Sequence, residues 1–169
     1  MAIVKHSSSK NARYEDVLEY YTCRHREDSR TGYYAPILDK YGLMQPRSDC
    51  AALYLTADGT AAAPERWASA CRRTNLCYSK NNKPSDRKSH EYILSHPAAD
   101  RGKLSMDDLV EEGRAFSKAF LQGYDCLIAV HRDTDNDHIH ISINSVRAKA
   151  RAEQAWMMRD SEGNVLPCE

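Results

Sequence analysis

Three of the chain's seven histidines, His131, His138 and His140, fall within one short stretch. His138 and His140 are separated only by the apolar Ile139. On a β-strand alternate side chains share a face, so both imidazoles point the same way, with Cα atoms about 7 Å apart. That spacing suits two ring nitrogens closing on one metal ion. The preceding run, Cys126 to His131, reads as a strand, and residues 134–137 read as a polar turn. A β-hairpin would then bring His131 back beside the other two. Three neutral imidazoles with coordination positions left open bind phosphate oxygens or water. The same set also makes a hydrolytic zinc centre.

The rest of the chain must position that hairpin. Ile3 and Val4 begin a first strand, followed by a turn-rich run over 7–11. Residues 11 to about 26 carry a helical pattern, with Tyr14, Val17, Leu18 and Tyr21 on one apolar face. Asn11 suits the N-cap, and the basic run Arg24-His25-Arg26 suits the C-terminal end. Residues 27–60 are broken repeatedly by Gly and Pro, with short strands expected near 33–38 and 51–56. A second helix is expected from Pro64 to about Leu76. A basic loop follows over 79–88, then a strand from Ser89 to His96 stopped by Pro97. The clearest helix has a capping box at Ser105 and Asp108. Its apolar side is read as Leu109, Val110, Ala115 with Phe116, Ala119 and Phe120, and Gly123 ends it. The tail after residue 150 starts helical and turns polar. Long helices alternating with antiparallel-type strands give an α+β domain, with helices packed on one face of a central sheet.

A chain of 169 residues suits one domain with a real core. No stretch is long and apolar enough to span a membrane, and the first residues lack the apolar centre of a signal peptide. A cytoplasmic location is therefore expected. The six cysteines, at 23, 50, 71, 77, 126 and 168, form no C-x-x-C pair and read as reduced thiols. Net formal charge is zero, but residues 1–90 carry 15 Lys and Arg against 10 Asp and Glu, and residues 91–169 carry 9 against 14. A basic half and a metal in an acidic half can together hold a phosphodiester backbone.

The hairpin reads H-x-D-x-x-x-x-H-h-H-x-x-x-N, with h apolar. It resembles the third motif of conjugative relaxases, the relaxase/mobilisation nuclease family (MobP type) within the HUH endonucleases. The tyrosine-bearing segment Val17-Leu18-Glu19-Tyr20-Tyr21 resembles the family's first motif, and the strand ending Tyr92-Ile93-Leu94-Ser95-His96-Pro97 resembles the one before its long helix. The resemblance spans roughly residues 10 to 150. Asp137 departs from it, standing where many relatives carry Pro or another uncharged residue. The resemblance implies a five-stranded antiparallel sheet flanked by helices, in a nuclease domain over 1–150. Residues 151–169 are read as the start of an extension in a longer, truncated protein.

It also implies a reaction: a tyrosine attacks one DNA strand at an origin of transfer, leaving a covalent 5′-phosphotyrosine that is later resealed. Metal ligands would be His131, His138 and His140. The cofactor would be a divalent ion, Mn²⁺ or Mg²⁺, with Zn²⁺, Ni²⁺ or Co²⁺ as alternatives. Among ten tyrosines, Tyr20 aligns with the family nucleophile and, at 100° per residue, is rotated off the apolar stripe; Tyr21 is the reserve. Asp133 would act as base or orient a ligand histidine. Arg24, Arg26, Lys80, Lys83, Arg87, Lys88 and Asn144 would contact DNA. Expected partners are single-stranded origin DNA, accessory relaxosome proteins and a type IV secretion coupling protein, with no membrane. A rolling-circle replication initiator or transposase uses the same hardware, and a zinc hydrolase or metal-binding module stays open beside them.

Overall fold

The computed structural model describes residues 3–149, apart from Asp28, Tyr33 and Asp133. The expected tail lies outside the described residues. Six antiparallel strands form one sheet in the order β1-β6-β8-β7-β4-β5, one strand more than expected. These are β1 (Ile3–Ser9), β4 (Cys50–Leu55), β5 (Ala61–Ala62), β6 (Ser89–Ser95), β7 (Cys126–His131) and β8 (His138–Asn144). The helices are α1 (Tyr14–Thr22), α2 (Trp67–Cys77) and α3 (Met106–Phe120). A separate ribbon pairs β2 (His25–Glu27) with β3 (Tyr34–Pro36).

That ribbon corrects the reading of Arg24-His25-Arg26 as the end of the first helix. The Cys23 amide closes α1 on the Glu19 carbonyl. The Arg24 amide then donates to the Gln45 carbonyl, and the Ile37 amide to the Arg24 carbonyl. Cross-strand partners replace the helical ones, which no local propensity announces.

Helices cover both faces of the sheet rather than one. β7 explains why: all six of its residues are buried, with no alternation. A strand reads that way when both its faces are packed. Leu127 and Ala129 meet Tyr14, Tyr21 and Trp67 from α1 and α2. Ile128 and Val130 join Ile139, Ile141 and Ile143 of β8 against Leu109 of α3.

β8 therefore alternates, with isoleucines toward α3 and His138, His140, Ser142 and Asn144 toward α1. α3 starts on the expected box: the Ser105 hydroxyl accepts from the Asp108 amide, and the Asp108 carboxylate from the Ser105 amide. Its buried stripe is Leu109, Gly113 and Ser117, flanked by Val110 and Phe116, which pack on the core as expected, while Ala115, Ala119 and Phe120 of the expected apolar side are exposed. Gly113 sits on that stripe because a Cβ there would lie 2.7 Å from Ile128 Cγ2.

Candidate active site

The antiparallel register sets His131 directly opposite His138, and Ala129 opposite His140. The hairpin thus gathers all three histidines at one end of the sheet. Ring centroids of His131 and His140 are 4.7 Å apart, and those of His138 and His140 are 6.3 Å apart.

α1 lies across this end, and its helical phase is the expected one. Tyr14 and Tyr21 are buried, while Tyr20 is 48% exposed. The Tyr21 ring packs 4.9 Å from His140 and 5.8 Å from His131. Its carbonyl accepts from His131 Nε2 at 2.8 Å. The Tyr20 ring stands one ring further out, 5.9 Å from Tyr21 and 5.6 Å from His25.

Glu91 completes the cluster, and the reading of site residues from sequence missed it. It sits on β6 opposite Ser142. Its Oε1 faces His140 Nδ1 at 3.0 Å and accepts the Tyr21 hydroxyl, and its Oε2 accepts Ser7 Oγ at 3.2 Å. Tyr21 also meets Ser142 Oγ at 2.8 Å. Burial pushes the Glu91 carboxyl up, but the hydrogen bonds from His140 and Tyr21 outweigh it and hold the group below the usual range. Tyr21 moves the other way: burial, and then the neighbouring carboxylate, push its phenol up. The available signal was an acidic residue inside a strand, on the face that its register with β8 turns toward the histidines.

The donor chemistry fits a divalent ion. Glu91 takes His140 Nδ1 and Thr134 Oγ1 meets His138 Nδ1 at 3.1 Å. A carboxylate behind a histidine is the arrangement that fixes the tautomer of a metal ligand. The distances as they stand are not those of a closed centre. Among the described residues no three His, Cys, Asp or Glu groups are grouped closely enough to hold an ion together. Asp133 lies outside the described residues.

The expected DNA contacts divide. Arg24 is exposed and lines a cavity of about 520 Å³ with His25, Arg47 and Asp49. That cavity opens beside the histidine end, since Cys50, next to Asp49, pairs with His131. Arg26 is exposed on β2. Lys80, Lys83 and Arg87 are exposed, but their loop leads into Ser89, which pairs with Asn144 at the opposite end of β8 from His138.

Two residues are corrected outright. Lys88 is 4% exposed, and its ammonium donates to the carbonyls of Asn81 and Lys83, tying its own loop together. Asn144 is 1% exposed and joins Tyr14, Asn75, Asn81 and the Cys71 carbonyl. Neither is available to a backbone phosphate. Asp137, read as part of a solvated turn, is also buried, beside Arg132 and the Gly102 amide. Asp135 is solvated as expected.

Among the described residues no helix is long and apolar enough to cross a membrane. No curated protein matches the chain. A family model does: the MobA/VirD2-like nuclease domain of relaxases, over residues 45–162. The match takes in the histidine hairpin and Glu91 and begins after α1, so Tyr20 and Tyr21 lie outside it. Covering well over half of the sequence, it agrees with the sheet, the helices and the histidine cluster beneath α1: the chain belongs to the relaxase family.

Proposed function

We propose that this nuclease domain nicks one DNA strand at an origin of transfer of a conjugative or integrative element, through Tyr20. The observation that carries the reading is the meeting of α1 with the histidine face of β7 and β8. A nucleophile-bearing helix and a cluster of three histidines would form two halves of one site.

Two tyrosines compete for the attack. Tyr21 is nearer the histidines, but its hydroxyl is committed to Glu91 and Ser142, and the residue is 2% exposed. A phosphodiester, large and charged, cannot reach that oxygen in line, and the raised phenol pKa resists ionisation. Tyr20 sits on the same helix end and presents its ring outward. Tyr21 then serves as a positioning residue, which ties α1 to Glu91 and to the His131 side chain.

A divalent ion held by His131, His138 and His140 would neutralise charge on the scissile phosphate. Glu91 accepts from His140 Nδ1, which would leave Nε2 as the nitrogen that binds the ion. Asp133, two residues past His131, is read from sequence as the base that takes the Tyr20 proton or as the acceptor that orients a ligand histidine. The Tyr20 oxygen bonds to phosphorus, the P–O bond to the 3′-oxygen breaks, and that oxygen leaves as a hydroxyl once protonated. The 5′-phosphotyrosine keeps the linkage energy for resealing. Arg24, beside the histidine end, and Arg26, on β2, receive the strand. Accessory relaxosome proteins and a secretion coupling protein belong to the same reading.

The test is a covalent adduct on a denaturing gel, after incubation with candidate single-stranded origin oligonucleotides and Mn²⁺. Tyr20→Phe abolishes the adduct and Tyr21→Phe retains it. An adduct that survives Tyr20→Phe moves the nucleophile elsewhere, and absence of any adduct with every candidate origin removes the nicking reading.

A further inference from the structure

At the end of β7 away from the histidines, two open cavities of about 560 and 490 Å³ meet over the turn that joins β4 to β5. They share Thr56, Ala57, Asp58 and Lys149. The first is walled by α2, with Arg73 on the helix and Arg66 at the residue that precedes it both lining the cavity. The second is lined by Lys118 and Arg147.

The charges here are unbalanced. Of the two acids, Asp58 is paired with Lys149 at 2.7 Å. Asp125 is buried and accepts the Tyr54 hydroxyl at 2.6 Å and the Ala57 amide at 3.1 Å. Arg66, Arg73, Lys118 and Arg147 have no carboxylate partner among the described residues. Arg147 stands beside them with its guanidinium carbon 5.8 Å from the centre of the Tyr124 ring, a contact that leaves its charge without an anion.

We propose that this groove is a second phosphodiester-binding surface, which holds the backbone of DNA outside the nicked segment. Four cations without a carboxylate partner, strung around two joined cavities, suit a polyanion better than one small anion, which would engage only part of the set. The site rests on the nicking reading for the identity of that polyanion. Its position follows from the strand: Cys126 and His131 are the two ends of β7, about 17 Å apart, or about five base pairs of duplex. DNA therefore reaches the groove only when it extends well past the nick, by about five base pairs if it is duplex.

The experiment uses the full chain and labelled mixed-sequence DNA of about 30 nucleotides, single-stranded and duplex, with anisotropy read between about 50 and 200 mM salt. Arg66→Ala with Arg73→Ala, both exposed, flattens the slope of log affinity against log salt by about two, and Arg147→Ala flattens it by about one. The probe with the larger change identifies the bound form. Slopes equal to wild type in both variants on both probes overturn the proposal. Adduct formation on an origin oligonucleotide too short to reach the groove stays at the wild-type level in Arg66→Ala/Arg73→Ala. Should the wild type form no adduct while the slopes still differ, the nicking reading fails and the groove stands.

Discussion

Glu91→Gln isolates what the carboxylate on β6 does. Glu91 accepts the Tyr21 hydroxyl, faces His140 Nδ1 at 3.0 Å and accepts Ser7 at 3.2 Å. Glutamine keeps the shape and one acceptor oxygen, but places an NH₂ where the second oxygen stood. Hydrogen bonds to a charged group contribute about 1.5–3 kcal/mol each, and neutral ones about half of that. Weakening the bonds from Tyr21 and His140 costs about 1.5–3 kcal/mol together, and the exposed Ser7 contact adds little. The variant should therefore unfold at lower urea with an unchanged m-value.

A second effect is on His140. Without the carboxylate its tautomer is no longer set, and loss of such a partner costs about 10- to 100-fold in metal affinity. Titration with Mn²⁺ alone, followed calorimetrically, reads this directly and does not depend on knowing the origin. Tyr21→Phe removes a bond from the same network, so the double variant should lose less stability than the sum of the two. If Glu91→Gln keeps stability within about 0.5 kcal/mol and binds Mn²⁺ as the wild type does, Glu91 does not orient His140.

Gly113→Ala sets about 1 kcal/mol of gained helix propensity against about 1–3 kcal/mol of overpacking on Ile128 and Ile139, so equilibrium unfolding should show a net loss of about 1 kcal/mol; a stabilised variant would falsify the close approach of α3 to the sheet. Asn144→Ala strips four hydrogen bonds from a buried position and should cost about 2–4 kcal/mol, read as a drop in melting temperature of about 5–15 °C. The salt dependence of its DNA binding should match the wild type, and a flattened slope with unchanged melting would return Asn144 to the DNA surface.

How much of this was legible follows the range of the interactions. The histidine spacing placed His138 and His140 on one face, because side-chain alternation is a property of any strand. The α1 phase separated Tyr20 from Tyr21, and the capping box located the start of α3. Each is decided within one element, by backbone geometry that neighbouring residues share. The sixth strand, the β2–β3 ribbon and the second covered face were not visible, because they depend on pairings between distant segments.

The candidate site divides the same way. Residue types and spacing alone determined the three-histidine hairpin, a tyrosine pair on an early helix, and the likeness to relaxases. Tertiary structure decided which groups complete it. Glu91 is 70 residues from Tyr21 and 49 from His140, and nothing local to any of them foretells that they share a proton network. Lys88 and Asn144 look like surface contacts in a polar sequence, and become buried ties once the loop over 79–88 folds onto β8 and α2. A residue's type sets which bonds it is able to make; the partner it meets, and whether water or protein surrounds it, is set by chain segments far away.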